Sequence, residues 1–164
     1  MTLLRHGHAQ APEDHARDFD RPLTRRGRDD ARAMGRRLAA AGWVPDLVLA
    51  SPAVRTATTA QIVAGEFGIH IRHIEYPEEL YSATGDVLWR AICRTPAGTG
   101  HVLLCGHNPA ISELASRFGP RPERRSLAPA AYASAHWPEG RWQDLEPGAA
   151  DACDRQEPSE SVPP

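Results

Sequence analysis

Three short apolar runs, at residues 2–4, 47–50 and 102–105, constrain this chain most. Each ends abruptly in polar or glycine-bearing residues: Arg5-His6-Gly7, Ser51-Pro52 and Gly106-His107-Asn108-Pro109. Short runs without polar alternation suit strands buried on both faces, as in a parallel sheet. The stretches between them read as helices. After Thr24, a natural N-cap, Asp29 and Asp30 come early and Ala31, Met34, Leu38 and Ala41 recur at helical spacing. Gly42 follows as the residue that ends the helix. Ser51 as cap and Pro52 at the first helical position predict a second helix to about Phe67, with Val54, Ala57, Ile62 and Val63 inward. A third helix is expected over 86–94, starting near Ser82 or Thr84, and a fourth after Pro109 through Phe118.

Three weaker patterns lie elsewhere in the chain. Ile69, Ile71 and Ile74, mixed with His70, Arg72 and His73, read as an exposed strand. Residues 132–137 and 142–145 read as two strands joined by a turn at 138–140. Beyond Pro147 the chain turns acidic and poor in large apolar residues, and 154–164 is expected to be disordered. The reading is one domain over residues 1–147 with a tail over 148–164, removable without loss of folding. Strands alternating with helices predict an α/β fold, a three-layer α/β/α sandwich with a largely parallel central sheet.

Composition narrows the functions. A formal net charge of −2 gives no overall basic field for nucleic acid or an anionic membrane. All 19 basic residues are arginine. Cys93, Cys105 and Cys153 are far apart and form no C-x-x-C pair, so neither a disulfide framework nor a zinc knuckle is suggested; Cys105 reads as a core residue. No apolar stretch is long enough for a bilayer, and the first residues lack a basic-then-apolar leader, so a cytoplasmic protein is expected. Without a coiled-coil pattern the expectation is a monomer, with no cofactor and no metal.

In open parallel sheets the site lies beyond the carboxyl ends of the strands. Arg5-His6-Gly7, Ser51 with Arg55, and Gly106-His107 all fall there. Two guanidiniums and two imidazoles at one edge make a pocket for a dianion. Phosphoryl transfer needs an in-line nucleophile and donors to the equatorial oxygens. Neutral imidazole is a good nucleophile near pH 7, and arginine grips two phosphate oxygens at once. The glycine of Arg5-His6-Gly7 allows close approach of backbone to ligand.

With these motifs the chain resembles the histidine phosphatase superfamily, the phosphoglycerate mutase-like group. Arg5-His6-Gly7 is similar to the family signature. Ser51-Pro52-x-x-Arg55-x-x-x-Thr59 is similar to the second phosphate-binding arginine and its helix, Gly106-His107 to the second histidine, and Arg21-x-Leu23-Thr24-x-x-Gly27 to the lead into the first helix. The resemblance covers about residues 1–147. Three features are similar to the short SixA-type phosphohistidine phosphatase branch: no long capping insertion, Asp18 three residues before Arg21-Pro22-Leu23, and the run from Leu103 to Pro109.

The resemblance implies His6 as nucleophile, with Arg5, Arg55 and His107 binding the phosphoryl group. It implies a general acid without fixing it: Glu79, beside Glu78, lies near where larger relatives carry a carboxylate, and Asp18 competes. Gly7, Arg21 and Asn108 are expected to contact substrate. Asn108 reads equally well as a helix cap, and Asp18 with Arg21 as a solvated loop pair. His8 reads as a loop residue lining the site. His70, His73 and His101 read as strand surface, and Trp137 with Trp142 as packing on the sheet edge. Arg121, Arg124 and Arg125 read as a solvated loop or a landing place for an acidic partner. The leading function is a phosphatase acting on phosphohistidine in a phosphorylated protein. The alternatives are a phosphomonoesterase for a small phosphorylated substrate and a non-catalytic phosphate-pocket module.

Overall fold

A computed structural model describes residues 1–119, 126–138, 140–146 and 148–158. Six strands form one sheet in the order β3-β2-β4-β1-β5-β6. They are β1 (Thr2–Arg5), β2 (Leu47–Ala50), β3 (Ile74–Glu75), β4 (Val102–Gly106), β5 (Tyr132–His136) and β6 (Ala152–Gln156). Strands β1 to β4 run parallel, β5 is antiparallel to β1, and β6 is antiparallel to β5. The helices are α1 (Arg25–Ala40), α2 (Val54–Glu66), α3 (Gly85–Cys93) and α4 (Ala110–Ala115).

The continuous apolar runs have a direct cause. Successive strand residues point to opposite faces, and both faces are covered. Leu3, Leu49 and Leu104 enter one core with Leu88 and Ile92 of α3 and Ile111 and Leu114 of α4. Leu4, Val48, Leu103 and Cys105 enter the other with Met34 and Leu38 of α1 and Val63 of α2. This is the expected three-layer fold. Among the described residues no helix is long and apolar enough to cross a membrane.

Several elements correct the sequence reading. Helix α1 starts and ends as expected: the Thr24 side chain accepts from Gly27 N, and Gly42 has φ +77°. Helix α2 starts two residues later than expected. Its N-cap is Ala53, with no side-chain cap bond, and Pro52 lies outside it. Helix α4 stops at Ala115. The isoleucine and histidine stretch gives a 3-10 turn over Ile71–His73 and a two-residue β3, while His101 is half-buried and bonds Thr2 Oγ1. Residues Trp142–Asp144 form a 3-10 turn, with the Trp142 indole N–H donating to Thr99 O. The partner of β5 is β6, inside the stretch read as a tail over 148–164. Its register pairs Tyr132 with Gln156, and the Tyr132 hydroxyl donates to Asp154. The sheet thus reaches past residue 147, and an edge strand needs ladder partners more than large apolar side chains. Arg121, Arg124 and Arg125 lie outside the described residues, as does the end of the tail from 159 on.

Candidate active site

Strands β2, β4 and β1 are neighbours, so their carboxyl ends bring Ser51 and Arg55, His107, and Arg5 with His6 to one place. The His6 and His107 rings meet edge to face, with centroids 5.2 Å apart. His6 Nδ1 lies 2.7 Å from the Gly7 carbonyl. A carbonyl only accepts, so Nδ1 carries the ring proton and Nε2 keeps its lone pair. Burial, with help from the charges of Arg55, Arg5 and Arg21, lowers the His6 pKa to about 4. The ring is neutral at pH 7. Burial, with His6 and Arg55 nearby, likewise takes His107 down to about 3. Its Nε2 lies 2.7 Å from Ser51 Oγ and 3.2 Å from Thr56 Oγ1, so two hydroxyls fix the ring.

Gly7 and Gly27 explain two of the sequence motifs together. A Cβ on Gly7 would lie 2.4 Å from Gly27 O, and one on Gly27 would lie 2.1 Å from His8 O. The nucleophile turn and the first turn of α1 therefore touch backbone to backbone. Thr24 locks the contact, its N–H donating to His8 O while its hydroxyl bonds the same carbonyl. Gly7 N donates to Thr59 Oγ1, whose hydroxyl donates to Arg55 O. The Gly7 N–H is thus spent within the protein, and the residue serves by its small size. His8 is exposed and bonds Thr24.

Arg55, in the first turn of α2, is 6% exposed. Its Nη1 donates to the Asp18 backbone carbonyl at 2.5 Å and its Nη2 to Asp18 Oδ2 at 2.8 Å. Arg5 donates through Nη1 to Leu127 O. In both arginines the Nε–H is buried without a partner among the described residues. Such a donor is costly unless an acceptor meets it.

The expected acids and substrate contacts fall differently. Asp18 Oδ1 accepts from Arg21 Nη1 at 2.6 Å, and Oδ2 also accepts from the Tyr81 hydroxyl at 3.2 Å. Arg21, then Arg55, holds the Asp18 pKa down to about 2. It is a carboxylate at neutral pH and carries no proton to donate. Glu79 pairs with Arg94 on the exposed surface. The Asn108 amide donates to Ser126 Oγ and Leu127 O and accepts from Ser112 Oγ. It caps no helix; it ties α4 to the carbonyl that holds Arg5. Arg21, besides meeting Asp18, donates through Nε to Gln10 O.

Sequence reasoning missed Tyr81. It follows the short turn Glu78–Leu80, bonds Asp18, and lays its ring edge-on to His107 with centroids 6.0 Å apart. Only its place near Glu78 and Glu79 could have drawn attention to it. A pocket of about 210 Å³ opens beside His107, lined by Tyr81, Ser82, Leu88, Asn108 and Pro109 among others.

Residues 1–83 match the histidine phosphatase superfamily (branch 1), and the chain belongs to that family. Its structure is similar to that of the protein assigned as phosphohistidine phosphatase SixA of Nakamurella multipartitia, with TM-score 0.79 and 29% identity, covering 97% of this chain and 96% of that one. It is also similar to the protein histidine phosphatase SixA complexed with tungstate, with TM-score 0.73 and 27% identity, covering 83% and 88%. An uncharacterized chloroplast protein of Arabidopsis thaliana is 31% identical over 124 residues, 71% of this chain. The chain spans 57% of that relative's length. Within the family, the likeness is to the SixA-type branch.

Proposed function

We propose that this chain hydrolyses phosphohistidine in proteins, with His6 as the nucleophile. One observation carries the reading: among the described residues, the carboxylate beside the free imidazole lone pair, Asp18, is spent accepting from Arg21, Arg55 and Tyr81. Asp18 is held ionised, and Glu79 is engaged with Arg94. A phosphate ester must expel an alkoxide and so calls for an acid. A phosphohistidine protonated on its second ring nitrogen expels neutral imidazole and calls for none.

The steps balance without one. The lone pair on His6 Nε2 attacks phosphorus, the substrate P–N bond breaks, and its electron pair stays on the departing ring. Phospho-His6 keeps its Nδ1 proton on the Gly7 carbonyl, so its ring is cationic. Water then attacks phosphorus, the Nε2–P bond breaks, its pair returns to Nε2, and dihydrogen phosphate leaves. Arg5 and Arg55 meet the equatorial oxygens through the remaining N–H groups of their terminal nitrogens, with His107 beside them. The tungstate held by the SixA relative is a tetrahedral oxyanion of the same kind. A free nucleophile beside unspent donors argues against a module that only binds phosphate.

Paired hydrolysis by the purified chain tests the proposal, using a phosphohistidine-bearing carrier protein and a panel of small phosphomonoesters. A higher kcat/KM on the carrier protein is expected. Preference for an alkyl phosphate would refute the substrate and leave His6 as nucleophile.

A further inference from the structure

Asp18 is useless as an acid, yet it stands where the site opens, between Arg55 and Tyr81. Its side chain is 46% exposed, on the only segment that bonds Arg55 through both backbone and side chain among the described residues. An ionised carboxylate offers about four acceptor positions. Arg21, Arg55 and Tyr81 take three. Each terminal nitrogen of Arg55 carries two N–H groups and spends one on Asp18, so the guanidinium can hold carboxylate and phosphoryl group together.

We propose that the Asp18 carboxylate accepts a hydrogen bond from the free ring N–H of a phosphohistidine and thereby selects the protonated, cationic form of the substrate. The inference rests on the phosphohistidine reading above. A phosphohistidine whose second nitrogen is bare must leave as imidazolate. Protonated, it leaves as neutral imidazole, and no proton moves during the transfer: His6 Nε2–P forms, P–N breaks, and the pair stays on the departing nitrogen. A neighbouring anion favours the cationic ring. The charged and titratable groups around Asp18 are Arg55 from α2, Arg21 and the Arg17–Asp20 pair from its own segment, Tyr81 from the loop before α3, and the neutral His6 and His107 behind. The bound phosphoryl dianion faces Arg5 and Arg55, while Asp18 shares Arg55, pairs with Arg21 and keeps one acceptor position for the ring N–H. The same carboxylate repels substrates whose leaving group is itself anionic.

The test compares kcat/KM for N-phosphoimidazole and for p-nitrophenyl phosphate in the full chain and its D18N and D18E variants. The aryl ester leaves without needing a ring proton. Any slackening of Arg55 slows both substrates and cancels in their ratio. An opposite charge shifts a pKa by about one unit or more, so D18N should lower the ratio of phosphoimidazole to ester by about tenfold or more. D18E, which keeps the charge, should restore most of it. An unchanged ratio in D18N overturns the proposal and spares the phosphohistidine reading. A wild type that cleaves the ester and leaves phosphoimidazole intact overturns both.

Discussion

Gly27→Ala should damage this protein in one of two ways, although Gly27 carries no functional group. The added Cβ would lie 2.1 Å from His8 O and 2.7 Å from His8 N. Both are backbone atoms, so no side chain can swing aside. Ordinary van der Waals contact requires α1 or the His6–His8 turn to retreat by roughly 1 Å. If α1 retreats, Ala31, Met34 and Leu38 leave their seats against α2 and the sheet; such overpacking costs about 1–3 kcal/mol. If the turn retreats, His6 shifts relative to Arg55, and a misplacement of about 1 Å costs on the order of 100-fold in rate. Gly65→Ala is the control. It lies in α2 with nothing among the described residues within 4 Å of its added Cβ, and alanine should stabilise the helix by about 0.5–1 kcal/mol. Urea unfolding and kcat/KM on phosphoimidazole read both variants. A Gly27→Ala protein as stable and active as wild type, or a Gly65→Ala protein equally damaged, would show that the Gly27–His8 contact does not hold the site.

Other consequences follow from the same structure. Asn108→Ala should remove one of two ties on Leu127, leaving its N–H on Ser112 Oγ, loosen the carbonyl that holds Arg5 and lower kcat/KM by roughly two- to tenfold, the weight of one hydrogen bond of about 0.5–1.5 kcal/mol; an unchanged rate would mean that the Ser112 tie alone holds Leu127. Stopping the chain after residue 147 removes β6 and bares the edge of β5, so lower thermal stability and aggregation through the open edge are expected; a truncated chain that melts like the full one would contradict this. The free enzyme's kcat/KM should hold down to about pH 4, where His6 takes up its proton, and an acid limb near 6.5 would contradict the buried, neutral ring. Stability should respond earlier. The unfolded chain binds protons at His6, His101 and His107 near pH 6.5, and the folded chain binds them only at about 4, 4 and 3, so stability is full above 6.5 and falls as pH drops below it.

The sequence made some features legible because their causes are local. The apolar runs of β1, β2 and β4, the Thr24 cap and the Gly42 stop each lie within a few residues of their effect. The convergence of Arg5, His6, Arg55 and His107 followed from strand ends alone. What stayed hidden depends on distant partners. Tyr81 matters through Asp18, 63 residues away, and Asn108 through Leu127. Ser51 looked like a helix cap, yet its hydroxyl, just past the end of β2, faces His107, just past the end of the neighbouring β4. Strand β6 lacks an apolar stripe because it sits at the sheet edge, and backbone pairing with β5 leaves no mark on composition. Asp18 was visible as a carboxylate, but only the arginines around it fix its charge.

Trapping the phosphorylated intermediate identifies the nucleophile. The chain is mixed with N-phosphoimidazole, quenched with alkali within a turnover, and digested for peptide mass spectrometry. A phosphoryl group on His6, absent in His6→Ala, is the predicted result. A phosphoryl group on His107, or full activity in His6→Ala, would contradict the account.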